Sequence, residues 1–566
     1  MRSRTIFLYF LFLFLAAAVI VRLFTLQVLG YGFYKSLAEN QHQAYRTLLP
    51  VRGAIFIQEG KNGKVVPVVT NIEKDLVFAV PPEISDKLQV VTSLSPILEM
   101  SKGEILEKIS DENRKWVALK KELPESVALK VKSLGLKGIY LQPEPYRHYP
   151  EQAFASQVLG FLGFRDTERV GQYGIEEYFQ KVLAGRVGSL LLDKDVAGRW
   201  ITGGLRRLEP AEDGGDLILT LDRAIQFKTE AVLKDTVEKH QADSGTILIL
   251  SPKTGAILAL ANFPTFDPNT FGKVEDPSVY RNLAVSEAYE PGSVFKPFTM
   301  AAGLDSGAIT PEETYEDKGA VALDEFVIKN AQDRVYGVQT MTQVLEQSIN
   351  TGAIYVQQKI GKEKFREVVK NFGFGSPTGI TLPAENPGNL DNLERGGKAY
   401  FGTASFGQGI TVTPLQLAQA FGAIANQGKL LKPYIVESVR FPDGRIETTK
   451  PVEVRQVISP KSADTLAAML VSVIEKGHGK RAGVGGYYLA GKTGTAQVAR
   501  SAGPGYDPDR TVGTFAGFGP VDDPAFVMVV KIVNPKTVRF AESTAAPAFG
   551  EIAQFLLNYL QIPPTR

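Results

Sequence analysis

In the stretch EPGSVFKPF, Ser293 stands three residues ahead of Lys296, just after Pro291-Gly292 and just before the apolar run Phe298, Met300, Ala301, Ala302 and Leu304. That run predicts a helix. A helix sets residues i and i+3 on one face, so Lys296 would stand one turn above Ser293. The chemistry open to such a pair is nucleophilic attack by the hydroxyl with the amine as its base. A lysine acts as a base only when its pKa falls toward neutrality, which burial and a second nearby cation bring about. Gly292 would let a substrate backbone approach, Pro297 is tolerated in a first helical turn, and the positive end of the helix dipole would favour an oxyanion at Ser293. Alone, S-x-x-K is an ordinary accident of helix surfaces. Here it occurs once in the chain, at a helix start.

Two further segments carry matching chemistry. Ser348-Ile349-Asn350, the single S-x-N of the chain, falls between the helical patterns TQVLEQ and AIYVQQKIG. In such a turn Ser348 could relay a proton and Asn350 could hydrogen-bond a substrate amide, although Ser-x-Asn is also common turn chemistry. The third segment is GKTGT, Gly491 to Thr495, on an expected strand. Lys492 would supply the field that lowers the pKa of Lys296 and attracts a carboxylate, and Gly494 would leave room for an incoming backbone. Lys253-Thr254-Gly255 repeats K-T-G in an expected hairpin turn upstream of the serine, so K-T-G alone carries no signal. The ordered set carries it.

Those segments need a scaffold. TILIL and AILAL flank SPKTG as a hairpin, and three more strands are expected in YYLAGKTGTAQVA, TVGTFAGF and FVMVVKIV. Between them lie helical patterns in LQLAQAFGAIANQG and SADTLAAMLVSVIEKG, and FGEIAQFLLNYLQ closes the chain. Five strands with intervening helices predict one antiparallel sheet covered by helices, an α/β chain of the α+β type. Upstream, GEILEKIS and PESVALKVKSLG have helical spacing, whereas KWVALKKEL and GIYLQPEP look extended. EPAEDGGD, residues 209 to 216, is the most linker-like stretch. The expected division is a cytoplasmic N-terminus at 1–4, an anchor at 5–29, a first domain at 40–212 and a catalytic domain at 216–566.

A chain of 566 residues exceeds one hydrophobic core. Lys+Arg 63 against Asp+Glu 61, with no long basic run, argues against nucleic acid as a partner. With no cysteine and four scattered histidines, neither a thiol nucleophile nor a zinc site is expected. After Arg2 and Arg4 the chain is uncharged from Thr5 to Val21, and beyond Arg22 it continues as LFTLQVLG. This predicts one membrane-spanning helix, N-terminus in the cytoplasm and the bulk exported; a cleaved signal is the alternative, without a clear cleavage site.

S-x-x-K, S-x-N and K-T-G in this order resemble the signature of penicillin-binding proteins and class A β-lactamases. DLILTLDRAIQ, SPKTGAILALANFPTFDPN, YEPGSVFKPFTMAAGLD, SFGQGITVTPLQLAQAFGAIANQG and AGKTGTAQVA are also similar to penicillin-binding protein segments. RLFTLQV, PVRGAIF, RHYP and GQYGIEEYFQKVLAG resemble the pedestal of the class B, monofunctional subgroup. The resemblance implies a serine transpeptidase/β-lactamase-like domain on an elongated mixed α+β pedestal. It implies that Ser293 attacks the penultimate carbonyl of a D-alanyl-D-alanine stem peptide, with Lys296 as base. Ser348 would pass a proton to the leaving amine near Lys492, and Asn350 would hold the acyl donor. Thr493 and Thr495, with Gly494, would line the substrate carboxylate site, and the backbone N–H groups of Ser293 and Thr495 would form the oxyanion hole. No metal or organic cofactor is implied. The implied partners are peptidoglycan stem peptides, β-lactam antibiotics, a SEDS-type membrane glycan polymerase and other wall-synthesis proteins. A septal role is favoured over elongation.

One departure stands out: RGAIFIQEGKNG carries Ile57 where the subgroup has Asp, followed by its Lys61-Asn62-Gly63 turn. Rival readings are a carboxypeptidase or β-lactamase, a Ser-His-Asp hydrolase needing His478, and a non-catalytic scaffold. The anchor and pedestal speak against the first, the missing G-x-S-x-G at Ser293 against the second, and covalent labelling by penicillin discriminates the third.

Overall fold

The computed structural model describes residues 2–29, 31, 43–60, 63–166, 168–193, 206–499 and 505–564. The chain divides into two compact units, one of Met1–Gly53 with Ala184–Gly215, the other of Ala54–Leu183 with Asp216–Arg566. Lys61, Asn62 and residues 40–42 of the expected pedestal lie outside the described residues.

In the first unit, helix Arg2–Phe24 runs on through a π-helical turn, Thr25–Leu29. The apolar span Ile6–Leu29 has 24 residues, none buried. At about 1.5 Å per residue it reaches roughly 36 Å, more than the roughly 30 Å of a bilayer's hydrocarbon. The same unit holds a three-stranded antiparallel sheet with Gly188–Asp193 between Gln43–Leu48 and Arg206–Glu209.

In the second unit a seven-stranded sheet joins early and late chain. Strands Ile55–Gln58, Val65–Ala79, Val117–Leu123 and Ile139–His148 share it with Asp216–Asp222, Val436–Arg440 and Ile446–Thr448. The segments KWVALKKEL and GIYLQPEP are extended as expected, and helices Lys102–Ser110 and Glu125–Ser133 match their periodicity. Ile57 is fully buried in one apolar cluster with Val68, Val69 and Leu217. A carboxylate at that position would need a partner this core does not offer.

The expected catalytic part begins with α1 (Arg223–His240), whose first turn is capped by the Asp222 carboxylate. The hairpin β1 (Ser244–Leu250) and β2 (Ile257–Phe263) follows, with Lys253-Thr254-Gly255 in its turn. A 3₁₀ turn, Gly292–Phe295, opens into α2 (Lys296–Asp305). Four short strands come next: β3 (Thr314–Asp317), β4 (Ala320–Leu323), β5 (Phe326–Lys329) and β6 (Gly337–Thr340), pairing as β3–β6 and β4–β5. Helices α3 (Met341–Glu346), α4 (Asn350–Ile360), α5 (Pro414–Ala425) and α6 (Pro460–Glu475) precede β7 (Ala490–Ala499), β8 (Tyr506–Gly519), β9 (Phe526–Val533) and α7 (Ala545–Tyr559).

The five expected strands form one antiparallel sheet in the order β2-β1-β9-β8-β7. Side chains alternate across it. Ile247, Ile249, Val530 and Phe515 pack with α1 and α7, while Leu248, Leu250, Val527 and Val529 pack with α2 and α5. Beneath the S-x-x-K turn, Phe298 is sealed from solvent and meets the rings of Phe295, Phe372, Phe374 and Phe421 at 5.0–5.4 Å. Phe298→Ala would leave a cavity among four rings and is expected to destabilise the unit by about 3–5 kcal/mol, read as a lowered melting temperature of the detergent-solubilised chain.

Candidate active site

The Ser293 turn is set by its neighbours. Gly292 has φ +58°, a conformation that suits glycine, and its N–H donates to the Gly407 carbonyl at 3.0 Å. Ser293 lies in the first turn at the entry to α2, where an N–H has no carbonyl of its own helix to bond. Among the described residues its hydroxyl has no hydrogen-bond partner.

Ser348 follows α3 in the left-handed region, φ +57°. Ile349 N–H reaches back to the Val344 carbonyl at 3.0 Å, closing the helix as a Schellman turn would. Glycine is the usual residue there; a serine is strained by roughly 1 kcal/mol. The geometry aims both polar groups of Ser348 at lysines. Lys296 Nζ donates to the Ser348 carbonyl and, at 2.8 Å, to Asn350 Oδ1, with Ser348 Oγ at 3.3 Å. Lys492 Nζ donates to the same Oγ at 3.0 Å and to the Thr493 carbonyl at 3.0 Å.

Ser348, Asn350, Lys296 and Lys492, expected from three distant segments, thus form one connected cluster one helical turn from Ser293. A backbone carbonyl and an amide oxygen only accept, so they commit two of the Lys296 N–H bonds. A neutral amine then keeps its lone pair for a hydroxyl proton. Both lysines have 0 % exposure. Burial pushes Lys296 well below the ordinary lysine range, and the adjacent Lys492 charge lowers it further. Burial pushes Lys492 down to about 7, against an opposing pull from Glu542. The expectation that Lys492 depresses Lys296 therefore has a direct electrostatic basis, although burial is the larger cause.

β7 carries the rest. It is an edge strand, so alternate backbone N–H groups have no strand partner on its outer side. Thr493 is nearly buried, and Thr495 Oγ1 accepts from Ala541 N–H at 3.1 Å while keeping its own proton to donate. Gly494 differs from its expected use. A Cβ there would lie 2.8 Å from both the Pro291 carbonyl oxygen and Val294 N, so the space belongs to the chain's own Ser293 turn rather than to an incoming backbone. Gly292 likewise serves its positive φ, with Ala496 Cβ only 3.3 Å from where its own Cβ would stand. His478, required by a Ser-His-Asp hydrolase, instead has Nδ1 2.9 Å from Glu542 Oε2.

Residues 245–554 match the penicillin binding protein transpeptidase domain, and residues 47–219 match the penicillin-binding protein dimerisation domain. The chain belongs to the penicillin-binding protein transpeptidase family. Stage V sporulation protein D of Bacillus subtilis is 34% identical over 94% of this chain and 82% of its own. A probable peptidoglycan D,D-transpeptidase, PbpC, of Pseudomonas aeruginosa is 32% identical over 98% of this chain and 94% of its own. Among solved structures, penicillin binding protein 3 of Mycobacterium tuberculosis complexed with aztreonam superposes with a TM-score of 0.71 and 27% identity, covering 92% of this chain and 98% of its own.

Within this family site, sequence reasoning passed over Glu290, three residues before the nucleophile candidate. Its carboxyl accepts from Gly409 N–H at 3.0 Å and Tyr506 OH at 2.9 Å, tying the S-x-x-K turn to the start of β8, and burial raises its pKa. Its place in YEPGS was the one available signal.

The lysine pair makes a signed prediction. Lys492→Met removes the charge that helps depress Lys296, so the Lys296 pKa rises in part, burial still holding it down. The acid limb of the pH profile for acylation by a penicillin should move to higher pH, and the plateau rate should fall by roughly 100-fold. An acid limb that stays in place would contradict the assignment.

Proposed function

We propose that this protein is a peptidoglycan D,D-transpeptidase working through a serine acyl-enzyme. The observation that carries the reading is the pair of buried lysines meeting on one serine hydroxyl beside the Ser293 turn. Neutral Lys296 takes the Ser293 proton as Oγ attacks the penultimate D-alanine carbonyl of a stem peptide. The resulting oxyanion is stabilised by the backbone N–H groups of Ser293 and Thr495. The proton passes from Lys296 through Ser348 to the departing D-alanine nitrogen, the C–N bond breaks and an ester to Ser293 remains. Lys492, in its charged form, donates to Ser348 Oγ, which frees that hydroxyl's own proton to move. Thr493 and Thr495 hold the terminal carboxylate, and Asn350 holds the donor peptide. An amine from a second stem then attacks the ester and gives its proton to Lys296; the new C–N bond closes the cross-link as the C–Oγ bond breaks, and Lys296 returns the proton to Ser293 Oγ. β-Lactams acylate the same serine and lack an amine that leaves the site.

The apolar Ile6–Leu29 span supports a single-pass anchor in the bacterial cytoplasmic membrane with the catalytic part outside, Arg2 and Arg4 favouring a cytoplasmic N-terminus. The sequence resemblance adds a SEDS-type glycan polymerase as partner. Septal synthesis is the setting we assign, on the resemblance.

A fluorescent penicillin should label the wild-type chain covalently and leave Ser293→Ala unlabelled; a wild type that stays dark would favour the scaffold reading. A tagged full-length copy should concentrate at midcell in growing cells. Uniform sidewall signal would favour the elongation type.

A further inference from the structure

Helix α4 begins without a cap of its own. The residue before it, Ile349, has no side-chain oxygen to offer. The N–H groups of Asn350 and Thr351 donate instead to Asn330 Oδ1, at 3.0 and 3.1 Å, reaching across from the turn after β5. Asn330 is itself held. Its Nδ2 donates to both Asp317 oxygens, at 3.0 and 2.9 Å, and to the Arg334 carbonyl at 3.1 Å. Asp317, on β3, also accepts from Thr351 Oγ1 at 2.6 Å, Gly319 N at 3.0 Å and Tyr336 N at 2.8 Å. Asp317, Asn330 and Thr351 are 2, 4 and 2 % exposed, so none of these bonds competes with bulk water.

The neighbouring residue completes the arrangement. The Lys329 carbonyl accepts from Asn350 Nδ2 at 3.2 Å, while Asn350 Oδ1 accepts from Lys296 Nζ at 2.8 Å. This fixes the polarity of the amide. Turned half a revolution, it would set its NH₂ against the lysine amine and its oxygen against a carbonyl, losing both bonds.

We propose that Asn330, locked by Asp317, is a positioning residue for the acylation step. By capping α4 and bringing the Lys329 carbonyl onto Asn350, it sets the direction in which Lys296 presents its lone pair. The β3–β6 insert thereby belongs to the catalytic apparatus while standing behind the reacting atoms. This inference rests on the proposed role of Lys296 as base for Ser293.

The test is a time course of penicillin acylation on the detergent-solubilised full chain, separating the dissociation constant of the first complex from the acylation rate constant per labelled site. Asn330→Ala should lower the rate constant by about 10- to 100-fold with little change in the dissociation constant, the scale expected for misplacing a catalytic group by about 1 Å. Asn330→Asp sets two carboxylates together and should also be slow. Asp317→Asn alone must turn its NH₂ toward either the Tyr336 N–H or the Gly319 N–H, which releases the Asn330 amide, and should slow the same step by a similar factor. A residue that only supports the fold would lower the melting temperature or the yield of labelled sites without changing the rate per site. A wild-type rate constant in Asn330→Ala, or in Asp317→Asn, overturns the inference. If Asn330→Ala does not fold, Asp317→Asn decides alone. An unlabelled wild type overturns the functional reading and this inference with it; a labelled wild type with an unimpaired Asn330→Ala overturns this inference only.

Discussion

Two ammonium groups cannot both stay charged around one hydroxyl in a site sealed from water, and the catalytic part of this molecule is arranged around that constraint. Lys296 and Lys492 both approach Ser348 Oγ with no solvent exposure. Among the described residues no carboxylate is bonded to either amine to offset the charge; Glu542 acts on Lys492 only at a distance. Burial, helped at Lys296 by the neighbouring Lys492 charge, therefore favours the neutral amine at a pH where a solvent-exposed lysine would be fully protonated. The arrangement is stable only because the surrounding core leaves the amines nowhere else to go. α2 is buried along nearly its whole length, β9 is buried on both faces, and the aromatic cluster around Phe298 fills the space beneath.

Holding three chain segments on that point requires close backbone contacts, which the small residues permit. Gly494 lets β7 lie against the Ser293 turn, and Gly292 turns the chain into it. The tie from Glu290 to Gly409 and Tyr506 secures the same turn from another side. Lys531 extends the pattern one layer down. It is 1 % exposed, donates to Glu287 at 2.5 Å and lies over the Tyr289 ring at 4.5 Å, so the residues leading to Ser293 rest on a buried cation paired with a half-exposed carboxylate. Unlike the lysine pair above it, this cation has a carboxylate partner. One lysine is held by its counter-ion; the other two are held by the lack of one.

Much of this was legible in the sequence, for specific reasons. Strands such as FVMVVKIV and helices such as LQLAQAFGAIANQG declare themselves by length and apolar period, and they form the sheet and its cover. Ser293, Lys296, Ser348, Asn350 and Lys492 stood out in the sequence because the chemistry we propose for them depends on residue type at short fixed spacings, and the structure brings the last four into contact. What stayed hidden has neither property. The strands β3 to β6 span four residues each, too few for a period to show. Asp317 and Asn330 are polar residues in a polar stretch, and nothing local marks them as buried or as partners of residues 20 to 34 positions away. The space beside Gly494 was assigned to substrate because a strand glycine reports only that something comes close, not what.

The left-handed backbone at Ser348 places chemistry and robustness in opposition at a single codon. Glycine or asparagine would relax the turn, but each would delete the hydroxyl that both lysines address. Threonine would keep the hydroxyl and suit the turn less well, because a β-branched side chain tolerates positive φ poorly. The position is therefore a place where selection for a sturdier protein and selection for a working one cannot be satisfied together, and where a lineage that abandoned catalysis would be free to drift first.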